Sequence, residues 1–183
     1  DQELYLHKAE NVLIEIDAHP LLFSKIHFRK GLFSELQGDF SQAEIHYRNA
    51  IELFTPEQEW WEKERSQYHL SKVLKEQQRW QESIDLFQNE HPLTNKERNV
   101  LARNHLHSGE NEMAKNISRL AFDQANLNGD VMTALEAALI LLESDQEHPS
   151  SDAETYRTYI KRESVPYFVS FHHESLKSLG LLE

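Results

Sequence analysis

Three segments of this chain repeat one order of small and large side chains at a fixed distance from a turn. They are "GDFSQAEIHYRNAIELF" from Gly38, "QRWQESIDLFQNE" from Gln78 and "GENEMAKNISRLAFDQA" from Gly109. Ala43, Ser83 and Ala114 share one column, and Ala50 and Ala121 share another. Tyr47 and Phe87 share a ring column in which Ser118 is the exception. Upstream of each turn, Gly31, Ser71 and Ala102 form a further small column. Such spacing suits two helices in a hairpin. Small side chains let the axes approach to roughly 8–10 Å, and a ring one turn away fills the groove beside them.

The punctuation agrees. Pro20, Pro56 and Pro92 are evenly spaced, and proline is tolerated at the first turn of a helix but poorly inside one, so they predict an even ladder of helix starts. Pro149 and Pro166 mark later boundaries. Gly38, Gly109 and Gly129 end apolar-periodic runs, where a left-handed cap is expected. Between these marks the apolar residues follow a helical period: Leu4, His7, Val12 and Ile16, then Phe23 to Leu36, then Trp60, Trp61, Tyr68, Leu70, Val73 and Leu74. No segment alternates with period two for long. The prediction is an all-α chain of about ten antiparallel helices joined by short turns.

These columns resemble the tetratricopeptide repeat. The resemblance implies one domain over 1–183, a right-handed superhelical solenoid of helix hairpins. Repeats would cover 20–56, 57–92 and 93–128, with the first helix of the second about a turn longer. Residues 1–19 would be the second helix of a preceding repeat, and 129–183 a degenerate repeat with a closing helix.

Composition excludes more than it assigns. The chain has 183 residues, of which 39% are hydrophobic, enough for a continuous core. No stretch approaches the roughly 20 apolar residues of a bilayer crossing; "ALEAALILL" is about half that. Asp1 to Ile16 is acidic and amphipathic, unlike a signal peptide. Cysteine is absent, which removes disulfides and thiolate chemistry and suits a cytoplasmic protein. The net charge of −12 argues against direct nucleic-acid binding by this segment. The chain starts at Asp1, without an initiator methionine and already within a helical pattern, so further sequence is expected upstream.

Catalytic and metal motifs are missing. His105 and His107 point to different helix faces, as do His172 and His173, and no paired-ligand spacing of the zinc type occurs among the 11 histidines. Glu59, Glu62, Lys63, Glu64 and Arg65 read as a solvated face with weak ion pairs. With no phosphate loop, nucleophile elbow or serine–histidine pair, the segment reads as non-enzymatic and free of cofactors.

The repeat geometry points instead to binding. In such solenoids the first helix of each pair lines the concave face. Carrying the columns over places Lys25, Phe28 and Leu32 there, then Arg65, Tyr68, Lys72 and Lys75, then Lys96, Asn99 and Arg103. That gathers cations where a peptide or protein partner, possibly acidic, would lie; Asn bonds a peptide backbone, and Arg or Lys its carboxylates. The alternative is that these cations balance acidic neighbours on exposed helices. The phosphate-clamp pattern of chaperone-binding repeats is not met, since Phe28 and Leu32 stand where Lys and Asn are needed.

The last segment, "SDAETYRTYIKRESVPYFVSFHHESLKSLG", has a short helix ending in Lys161 and Arg162, a Pro-marked turn and an aromatic helix. It resembles the repeat region of Gram-positive peptide-pheromone receptors of the Rap, NprR and PlcR types. The resemblance implies a sensor segment that binds short secreted peptides for a transcriptional or phosphorelay output domain. A general repeat scaffold with no small ligand is the other reading. Either tolerates self-association, a homodimer for instance, through apolar ends at Leu4/Leu6 and Phe168/Phe171/Leu176.

Overall fold

The computed structural model describes residues 2–15, 19–54, 60–87, 92–146 and 151–182. Among them are eleven α-helices and no strand, one helix more than expected because the closing segment is divided. Pro56 and Pro149, Glu59, and the side chains of Trp60, Trp61 and Glu62 lie outside the described residues. No helix is long and apolar enough to cross a membrane among those described. The helices group into two compact units, Asp1–Leu86 and Phe87–Glu183.

The first unit contains α1 (Gln2–Glu15), α2 (Pro20–Leu36), α3 (Phe40–Glu52), α4 (Trp60–Glu76) and α5 (Trp80–Asp85). Pro20 opens α2 as anticipated, and α4 has the same 17 residues as α2. α2 packs on α3, α3 on α4, and α2 also touches α4. The core of this unit is Phe28, Ala43, Tyr47, Ala50, Leu70, Val73 and Leu74. Both small columns are buried here. Ser71 and Ser83, one from each column, meet between α4 and α5 with their hydroxyls 2.6 Å apart, and Ser83 also donates to the Ser71 carbonyl at 3.0 Å.

The second unit contains α6 (Asn95–His107), α7 (Asn111–Leu127), α8 (Val131–Ser144), α9 (Ala153–Glu163), α10 (Pro166–Phe171) and α11 (His173–Ser178). Pro92 lies just before α6, whose N-cap is Thr94 in a reciprocal capping box with Glu97. α8 is the central element. It packs on α6, α7 and α9, and Ala134, Leu135, Ala137, Ala138, Leu139, Leu141 and Leu142 are all buried. This is the physical reason for the run "ALEAALILL": a helix covered on several sides is apolar all round. Phe168 and Leu176 also belong to this core. The expected C-terminal apolar face is therefore corrected: of its three residues only Phe171 is exposed, because α10 and α11 turn Phe168 and Leu176 into the core. At the other end Leu4 is exposed and Leu6 partly buried.

Four of the described turns between helices share one construction. Asp39 N–H bonds the Ser34 carbonyl at 3.0 Å, Arg79 that of Leu74 at 2.9 Å, Glu110 that of His105 at 2.8 Å and Asp130 that of Ala125 at 2.9 Å. Each donor is also the N-cap of the next helix. One residue thus closes one helix and opens another, which is why the turn is so short. The residue before each donor has positive φ: Gly38, Gln78, Gly109 and Gly129.

Candidate functional site

Seven of the ten expected groove residues lie in the first unit, on α2 and α4. Phe28 is not solvent-facing. It is 3% exposed, because α4 covers the face of α2 on which it stands. Its ring lies 5.9 Å from that of Tyr47 and 5.4 Å, edge-on, from His69. Leu32 is partly buried against the same core. Lys25 is partly buried on α2.

On α4 the residues stay closer to the surface. The Arg65 guanidinium is exposed and sits 4.9 Å above the Phe28 ring, a cation–π contact between α4 and α2. No carboxylate pairs with it among the described residues. Three residues on, Tyr68 is edge-on to His69, with the Lys72 ammonium 5.9 Å from its ring centre. Lys72 also bonds Glu35 at 2.9 Å, and Lys75 pairs with Glu76 at 2.9 Å. The acidic neighbours that sequence reasoning set against the groove are present for these two lysines.

The organising residue is one the sequence reading did not single out. Glu35, at the end of α2, accepts from Tyr47 Oη on α3 at 2.7 Å and from Lys72 Nζ on α4 at 2.9 Å, and lies 2.9 Å from His69 Nδ1. Burial by itself raises the Glu35 carboxyl, but the bonds from His69, Tyr47 and Lys72 outweigh it and bring the pKa down to about 2. Burial and the Glu35 charge push the Tyr47 hydroxyl up. Burial opposes the Lys72 charge, yet the Glu35 bond leaves its pKa raised. Carboxylate and ammonium are thus both ionised, and they tie three helices together.

The remaining three residues lie in the second unit, on α6. Asn99 is also 3% exposed and so is not a groove residue; α8 covers it, and its Nδ2 donates to the Thr133 carbonyl at 2.8 Å. Arg103 is ion-paired with Glu143, again on α8. Lys96 is exposed. Burial raises the Glu136 carboxyl above its ordinary range despite nearby Arg103, Asn99 and Lys96. One physical signal could have found these pairs in advance. Glu35–Lys72, Glu44–Arg79, Asn99–Thr133 and Arg103–Glu143 are separated by 37, 35, 34 and 40 residues, close to the spacing of Pro20, Pro56 and Pro92, so polar partners at that interval mark contacts between packed helices.

The histidines are scattered. His105 is buried and paired with Glu110, and His172 packs on Phe168 with ring centres 4.6 Å apart. No group of three metal-ligating side chains stands together among the described residues. No protein-family model matches the chain, and no curated protein matches it.

Proposed function

We propose that the chain is a helical-repeat solenoid of the tetratricopeptide kind, and that the α4 face of its first unit binds an extended acidic peptide. In this reading it is the peptide sensor of a bacterial regulator, a binding segment with no chemistry of its own. Arg65 carries the proposal. In a chain of net charge −12, an exposed guanidinium set over Phe28 and followed on its helix by Tyr68 and Lys72 offers a donor fork that suits a carboxylate. The resemblance of the C-terminal segment to peptide-pheromone receptors supports the sensor role.

The test is a fluorescence-anisotropy titration with labelled short peptides, acidic and charge-neutral versions of matched length. Acidic peptides are expected to bind with affinity that falls as salt rises. Arg65→Ala should weaken binding about ten-fold, the value of one charge-assisted hydrogen bond. Equal affinity for acidic and neutral peptides, or no effect of Arg65→Ala, overturns the reading.

A further inference from the structure

His27 on α2 and His46 on α3 are joined inside the first unit by a hydrogen bond between their Nδ1 atoms, 3.3 Å apart, with ring centres 5.5 Å apart and planes inclined at 36°. Both rings are partly buried. Two such nitrogens bond only when one carries a proton and the other a lone pair, so at least one ring of the pair is neutral. One extra proton is tolerated, because an imidazolium N–H still donates to its neutral partner. A second is not. It sets two N–H groups and two positive charges face to face, and the bond is lost.

The surrounding groups do not offset that second charge. From α1, a Glu10 oxygen lies 3.9 Å from His27 Nε2, but Glu10 is already held by Lys30 Nζ at 2.6 Å, with His7 Nδ1 3.6 Å away. The Lys30 ammonium of α2 therefore stands close to the pair. The α4 groups His69 and Lys72 are directed to Glu35 instead. Burial lowers the pKa of both rings below the ordinary 6.5. At His27 the Glu10 charge opposes this and Lys30 adds to it; at His46 both His27 and Lys30 add to it and Glu10 opposes it. The unfolded chain thus takes up these protons more readily. The stability that the pair contributes is fully present above pH 6.5 and is lost as pH falls below it. His46 lines a cavity of about 500 Å³ that also includes the exposed His7, which gives solvent protons a route to the pair.

We propose that His27 and His46 form a pH-sensitive clasp between α2 and α3, closed while at least one ring is neutral and released when both are protonated. It is independent of the α4 face and of the peptide reading.

The experiment is an acid titration of the full chain, read by long-range ¹H–¹⁵N spectra of the imidazole rings and by thermal unfolding. At neutral pH the Nδ1 shifts of His27 and His46 should account for one proton between the two atoms, and on acidification the two rings should titrate in linked steps. Between about pH 7.5 and about pH 5 the wild type should lose about 2–4 °C more of its Tm than the His27→Gln/His46→Gln double variant, whose paired amides take up no proton. Two bare or two protonated Nδ1 atoms at neutral pH, independent titration of the rings, or an equal loss of Tm in both proteins overturns the proposal. The spectra decide it even if the double variant is poorly folded.

Discussion

The ring of Tyr47 fills the space that any side chain at position 31 would need. A Cβ built on Gly31 lies 2.6 Å from Tyr47 Cε1 and 2.7 Å from Cδ1, closer than real carbon contacts come. The ring cannot swing away freely, because its hydroxyl is bonded to Glu35. Gly31→Ala is therefore expected to destabilise the first unit by about 1–3 kcal/mol through overpacking, even though alanine is the better helix former. Pairing it with Tyr47→Leu should recover part of the loss, and denaturant unfolding of both variants measures the coupling. Equal losses with and without Tyr47 would show that the ring is not the obstacle.

Glu35 links stability to pH. Its carboxyl is held at about 2, against an ordinary 4.5. The unfolded chain therefore binds the proton more readily, and the stabilisation is fully present above pH 4.5 and lost as pH falls through about 2. Glu35→Gln removes that contribution. Over this window the stability of the variant should fall less steeply with acid than that of the wild type, as chemical unfolding at a series of pH values would show. Parallel slopes would mean that Glu35 is not ionised against its three partners.

Gln78 takes the turn position that glycine holds in the neighbouring hairpins, at φ 60°. A side chain in this left-handed region costs about 1–2 kcal/mol. Gln78→Gly is expected to stabilise the chain by about 1 kcal/mol, and Gly38→Ala, with nothing near its Cβ position, to destabilise it by a similar amount. Opposite signs in the two Tm shifts are the signature. A Gln78→Gly variant that melts earlier would remove the argument.

Leu36 and Leu139 separate pattern from packing. Both sit in helical apolar runs, but Leu36 is 83% exposed and Leu139 fully buried in the second unit. Leu139→Ala should cost about 2–5 kcal/mol, and Leu36→Ala less than about 0.5 kcal/mol. Similar losses at both positions would place Leu36 in a contact that the described residues do not contain.

The helices could be read in advance because their signals are local. Pro20 at the start of α2, the glycines after α2, α6 and α7, and the small columns that meet across each hairpin depend on backbone sterics and on the 3.6-residue period. Position 78 was harder, since glutamine hides a turn that its neighbours reveal. The solvent-facing positions were read less well. Phe28 and Asn99 occupy positions that a single hairpin leaves open, and each is covered by the helix two further along the chain, α4 and α8 respectively.

The amino-acid order alone thus determined where this chain is helical, where it turns, and which small residues lie between paired helices, because those properties follow from the allowed conformations of a few neighbouring residues. Tertiary structure decided which faces are spent on packing. It drew Tyr47, His69 and Lys72 from two further helices onto Glu35, brought His27 opposite His46, and set the exposed Arg65 guanidinium above the Phe28 ring. Charge pairing and burial act at a few ångströms between helices distant in sequence, and only their packing brings those groups within range.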